Sequence, residues 1–135
     1  MEVGKLCTVD TICCARDESV QGAAFLMRKH HVGDIVVVDD ADGVPVPAGI
    51  VTDRDIVVSV VALGLDPNGL QVGDIMTDDL LTADEHDDVT VTIERMRLRG
   101  IRRVPVVGEG GRLAGIVSAD DLLGFLAEEM EDLAR

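Results

Sequence analysis

Gly49-Ile50-Val51-Thr52-Asp53-Arg54-Asp55 and Gly115-Ile116-Val117-Ser118-Ala119-Asp120-Asp121 are one pattern written twice in a chain of 135 residues. Each copy is a β-branched run that ends on a hydroxyl residue, with an aspartate three positions later. That is how a strand delivers a helix N-terminus with a capping box. The rest of the chain repeats as well. At an offset of 69, Val3-Gly4-Lys5-Leu6-Cys7-Thr8 falls on Val72-Gly73-Asp74-Ile75-Met76-Thr77, Val20 on Val89, Met27-Arg28 on Met96-Arg97 and Val37-Val38 on Val106-Val107. The offset then drops to 66, so three residues separate the loops Asp39 to Ala48 and Gly108 to Ala114. A hairpin tip is where such a length difference is tolerated.

Periodicity gives each half the same order. An extended piece (Thr11 to Cys14; Leu80 to Thr82) precedes a helix capped by Ser19 or Asp88, whose apolar positions Val20, Ala23, Ala24 and Met27, or Val89, Ile93 and Met96, recur at helical spacing. Two strands follow, Ile35 to Val38 with Gly49 to Val51, and Val104 to Val107 with Leu113 to Val117. A second helix closes each half, Asp53 to Leu63 with Gly64 as its stop, and Ala119 to about Leu133. The fold class is α+β, two β-α-β-β-α units: residues 1–64, a linker 65–71, and residues 72–135. Neither half has enough layers to cover its own sheet, so the two are expected to pack sheet to sheet about a pseudo-two-fold axis. Apolar positions on the second helices (Ile56, Val57, Val60 and Val61; Leu122, Leu123 and Leu126) point to a homodimer.

Composition narrows the partners. Twenty-six acidic against twelve basic residues give a net charge of −14, which repels nucleic acid and anionic membrane alike. Hydrophobic residues are 47% of the chain and no low-complexity tract interrupts them, so the chain is globular. Aromatic residues are 1%, Phe25 and Phe125, which leaves aliphatic side chains to enclose any planar ligand. The apolar run Val60 to Leu63 is too short to span a bilayer, and Met1-Glu2-Val3-Gly4-Lys5 lacks the apolar stretch of a signal peptide. Cys7, Cys13 and Cys14 form an odd set with an adjacent pair, which suits a reducing cytoplasm. Their spacing, together with His30 and His31, matches no tight zinc pattern. No nucleophile-base set, carboxylate pair for acid-base work or phosphate-binding glycine loop can be assembled, so catalysis is not expected and no cofactor is required.

The two strand-to-helix motifs, with Val72-Gly73-Asp74-Ile75-Met76-Thr77 and Val104-Pro105-Val106-Val107, resemble the tandem CBS domain, or Bateman module, over nearly the whole chain. The resemblance implies a regulatory module that holds an adenosine-containing nucleotide (AMP, ADP, ATP or NAD) in a cleft between the two units and signals through conformation or dimer packing to an effector protein. It implies that Asp55 and Asp121 take ribose hydroxyls, that Thr52 and Ser118 face phosphate, and that the motif of one unit meets the strands of the other. On that assignment Thr52 and Asp55 meet Leu81, Thr82, Arg102, Arg103, Val104 and Pro105, while Ser118 and Asp121 meet Ile12, Cys13, Asp34 and Ile35. The two guanidiniums would then favour phosphate beside Thr52, and Asp34 would disfavour it beside Ser118. Two other readings stand beside this one: an interaction module with non-binding clefts, and a thiol or metal sensor built on the three cysteines.

Overall fold

The computed structural model describes residues 1–134. Its elements are β1 (Cys13–Ala15), α1 (Val20–His30), β2 (Asp34–Ala41), β3 (Val44–Thr52), α2 (Asp53–Ile56), α3 (Val72–Ile75), β4 (Ala83–Asp84), α4 (Val89–Arg99), β5 (Arg103–Val107), β6 (Leu113–Ser118) and α5 (Ala119–Ala134). The strands form two three-stranded sheets, β1-β2-β3 and β4-β5-β6, in a mixed α+β fold. In each sheet the first strand runs parallel to the second, and the second and third form an antiparallel hairpin.

The units that pack together are not the halves that repeat. One compact unit is Thr11–Leu80; the other combines Met1–Asp10 with the chain from Leu81 onward. We call them inner and outer, for their places in the sequence. The opening segment of each repeat thus belongs to the unit of the other repeat. In the outer unit Val3 is fully buried in a core with Ala83, Val89, Met96, Val104, Val106, Val117 and Leu122. In the inner unit Val72 takes that place among Cys14, Ala23, Met27, Ile35, Val37 and Val51. Burying a valine stabilises by about 1.5–3 kcal/mol, so each segment is anchored by its own apolar contact.

This exchange explains the glycine at the head of each motif. In the inner unit Thr77 and Ile50 trade backbone hydrogen bonds of 2.9 and 3.0 Å, and in the outer unit Thr8 and Ile116 do so at 2.8 and 3.1 Å. The incoming segment therefore lies on the strand beside the glycine. A Cβ on Gly49 would stand 2.6 Å from the Thr77 carbonyl oxygen, and one on Gly115 would stand 2.5 Å from that of Thr8. No side chain fits there.

Several elements differ from the sequence reading. The β2-β3 hairpin runs on to a two-residue turn, Asp42-Gly43, with φ of 55° and 85°, so most of the segment Asp39 to Ala48 is strand rather than loop. Pro45 and Pro47 are accommodated because β3 is an edge strand. The first strands lie later than expected, at Cys13–Ala15 and Ala83–Asp84. Ser19 caps α1 by accepting from the Gly22 amide at 2.9 Å, whereas Asp88 begins α4 with its carboxylate turned to the Met1 amino group. The helix after Thr52 is α-helical only to Ile56; Val57–Val61 is a π-helical turn, in which the Ala62 amide bonds the Val57 carbonyl. Four valines in five residues are poor helix formers, and the turn relaxes their crowding. Gly64, at φ 67°, stops this helix as expected. No helix of the described residues is long and apolar enough to cross a membrane.

Candidate functional site

Each motif closes a complete capping box. Thr52 Oγ1 accepts from the Asp55 amide at 3.1 Å while Asp55 Oδ2 accepts from the Thr52 amide at 2.9 Å. Ser118 and Asp121 repeat the exchange at 3.1 Å in both directions. Each box uses one oxygen of its aspartate, and the first three amides of the helix after Thr52 are all taken, Asp53 by the Gly33 carbonyl, Arg54 by Asp53 Oδ1 and Asp55 by Thr52 Oγ1.

The hairpin register decides what stands beside each box. Asp34 lies across the ladder from Thr52 and Ile35 from Val51, and the Asp53 amide bonds the Gly33 carbonyl at 2.9 Å. In the outer unit Arg103 lies across from Ser118 and Val104 from Val117, and the Ala119 amide bonds the Arg102 carbonyl at 2.7 Å. The resemblance sets each motif against the strands of the other unit; the register gives the neighbours within its own. Within a unit the end of the third strand must sit beside the start of the second, because the two form one hairpin. The double arginine therefore neighbours Ser118 and Asp121, and Asp34 neighbours Thr52 and Asp55.

The charges follow the register. The inner junction gathers Asp34, Asp53 and Asp55. Asp53 Oδ1 accepts from the Arg54 amide at 2.8 Å, and its other carboxylate oxygen packs over Gly33, 3.0 Å from where a Cβ would stand. The outer junction holds Arg102 and Arg103, with Arg102 paired to Asp120 at 3.3 Å. Arg95 donates to the Thr82 carbonyl at 3.1 Å and meets Asp87 at 3.5 Å, which ties the entry of β4 to α4. Sequence reasoning passed over Asp53 and Asp120, although both sit inside the repeated motif.

Among the remaining candidates, Ile12 and Cys13 precede or open β1, the Ile12 carbonyl accepting from the Val36 amide at 3.2 Å. Leu81 and Thr82 stand in the same place before β4 and are half-buried. Ile35 and Val104 are core residues and Pro105 is buried, so these three can offer a ligand only backbone. The cysteines are all free. Cys13 is exposed, while burial pushes the Cys14 thiol up to about 11 and raises that of Cys7. Among the described residues no three His, Cys, Asp or Glu side chains gather as a metal site.

Comparison with known proteins agrees with the duplicated architecture. The CBS domain family model matches residues 3–62 and again 72–128. An uncharacterized protein of Methanopyrus kandleri, MK0525, is 36% identical over 91% of this chain, which spans 61% of that protein. A crystal structure of Hypoxic Response Protein I with two coordinated zinc ions superposes with a TM-score of 0.80 at 31% identity, covering 92% of this chain and 98% of that one. The CBS domain pair of protein MJ0100, crystallised with 5-methylthioadenosine and S-adenosyl-L-methionine, superposes at 0.78 with 26% identity, covering 96% of this chain and 98% of that one. The two matched stretches take in most of the sequence, and the chain belongs to the CBS domain family as a protein with two CBS units.

Proposed function

We propose that the chain is a regulatory module that binds an adenosine-containing ligand at its capped strand-to-helix junctions and passes occupancy on through its conformation or the packing of a homodimer. The observation that carries the reading is the position of Arg103 across the ladder from Ser118, with Arg102 next to it at the start of α5. Guanidinium is the side chain best shaped for bidentate phosphate contact, and each such charge-assisted bond contributes about 1.5–3 kcal/mol. Asp121 keeps one carboxylate oxygen outside the capping box, a suitable acceptor for ribose hydroxyls. Leu81 and Thr82 supply backbone and aliphatic surface for the base. The outer junction is thus the place for AMP, ADP, ATP or NAD.

The inner junction, with three carboxylates, repels a phosphate chain and suits an uncharged or cationic adenosyl group, enclosed by Ile12 and Cys13. Three free thiols fit a reducing compartment such as the cytoplasm. The opposing reading, a docking module with non-binding clefts, draws on the capping boxes, which are complete without any ligand.

A thermal-shift panel of AMP, ADP, ATP, NAD and S-adenosylmethionine tests the proposal. A ligand at a hundredfold excess over its Kd stabilises by about 2.7 kcal/mol. A rise in Tm with phosphorylated adenosines that Asp121→Ala removes supports the reading; no rise with any of the five overturns it.

A further inference from the structure

The two units hold the start of their first strands differently. In the inner unit β1 opens with Cys13 paired to Val36, and the Val36 amide donates to the Ile12 carbonyl at 3.2 Å. At the offset of 69 the same positions in the outer unit are Thr82, Pro105 and Leu81. Pro105 has no N–H, so a bond to the Leu81 carbonyl cannot form, and β4 starts one residue later, at Ala83 opposite Val106. Pro105 lies in the central strand of its sheet, where proline is uncommon because it costs a ladder bond. A guanidinium takes over. Arg95 Nη2 donates to the Thr82 carbonyl at 3.1 Å, and Nη1 stands 3.5 Å from Asp87 Oδ2, the oxygen that accepts from the Asp84 amide at 3.0 Å. Arg95 thus holds β4 at both ends. Its inner counterpart is Leu26, an apolar side chain packed on the inner core, in a unit where Val36 supplies the bond itself.

We propose that Arg95 is a positioning residue of the outer junction. With Pro105 it fixes the entry of β4 while leaving the Leu81 carbonyl outside the ladder, as an acceptor for a hydrogen-bond donor on the base of a ligand. This role rests on the ligand reading proposed above. Because β4 runs parallel to β5 and β5 antiparallel to β6, Leu81 and Thr82 reach the same end of the sheet as Arg103 and Ser118. The Leu81 side chain packs against the outer core, so its backbone is what it offers. At the inner junction the Ile12 carbonyl is already engaged by Val36. The proline and the arginine fit together: proline alone would leave the strand entry to fray, and arginine alone would duplicate a ladder bond. Both fall in the unit with the arginine beside its cap, and neither in the unit with Asp34 there.

Calorimetric titration of adenosine and of ATP into the native chain, Arg95→Leu and the double variant Arg95→Leu with Pro105→Val tests this, alongside hydrogen exchange at the Ala83 and Asp84 amides. Arg95→Leu should weaken both compounds by the same factor, about tenfold or more, and speed exchange at both amides. Equal loss marks positioning, since a guanidinium acting through its charge would weaken ATP and spare uncharged adenosine. Adding Pro105→Val should return exchange to the native rate by rebuilding the ladder bond, yet leave binding weak because the Leu81 carbonyl is then engaged. Exchange or adenosine binding unchanged in Arg95→Leu, or native affinity in the double variant, overturns the role of Arg95 alone. A native chain that binds neither compound overturns the ligand reading, and the role of Arg95 with it.

Discussion

At the inner junction the residue across the ladder from the capping threonine is Asp34; at the outer junction the residue across from the capping serine is Arg103. Around the cap the two are otherwise alike, with the same antiparallel pairing at the strand end, the same glycine under an incoming segment and the same reciprocal box. The comparison shows how a duplicated scaffold diversifies. The hairpin and the cap are held by packing and backbone bonds, while the charge opposite the cap is a surface choice that can change sign without disturbing either. On the proposed function, two junctions of similar build would select ligands of different charge.

The largest expected effect tests what the units share. Gly49→Val and Gly115→Val each force a side chain against the backbone of an incoming segment, and each should destabilise the chain by about 3 kcal/mol or more, read as a collapse in Tm or in soluble yield. Equal damage from both supports the exchanged-segment architecture; tolerance of either breaks the likeness. Ligand charge tests what the units do not share. Arg103→Ala should weaken ATP binding about tenfold or more, a loss of about 1.4 kcal/mol, whereas Asp34→Ala should leave it unchanged. The reverse order would move the phosphate site to the inner unit. Thr52→Ala and Ser118→Ala remove equivalent caps, and each should cost about 1 kcal/mol in chemical denaturation.

A finer contrast lies within the inner sheet. Cys13 should alkylate readily near pH 8, while Cys14, buried and with its thiol at about 11, should stay unmodified in the folded chain, as peptide mass spectrometry would show. Modification of Cys14 as fast as Cys13 would contradict the packing of β1.

Smallest are two pH effects of opposite sign. In the inner unit Arg16 holds the Asp39 carboxyl below its usual range through a hydrogen bond. That pair's contribution is present above the ordinary carboxylate range and disappears as pH falls through the lowered value. In the outer unit a hydrogen bond to Glu2 raises His86. Its contribution is present below about pH 6.5 and is lost as pH rises through the raised value. Asp39→Asn should flatten the acid side of a stability-pH curve and His86→Ala the neutral side.

Much of the fold is legible because the repeat is. The strand-helix order, the Gly64 stop and both capping boxes follow from spacing and turn chemistry. The exchange of opening segments is not legible in the repeat alone: aligning Val3 with Val72 shows that the two are equivalent and says nothing of which core either enters. A signal does exist in Gly49 and Gly115, glycines inside β-branched strands, where close approach of another backbone is the physical reason to exclude a side chain. The π-helical turn is hidden because Val57–Val61 has helical spacing, and only its valine crowding hints at a wider turn. At the site, Thr52, Asp55, Ser118 and Asp121 are identifiable from the motif. Their strand neighbours within each unit follow from the hairpin register.

We propose that the outer junction, not the inner one, takes a phosphorylated adenosine. Calorimetric titration of ATP into the native chain, Asp121→Ala and Asp55→Ala tests it most directly. Heat of binding that persists in Asp55→Ala and vanishes in Asp121→Ala is the predicted result; binding that survives Asp121→Ala and is lost in Asp55→Ala would contradict it.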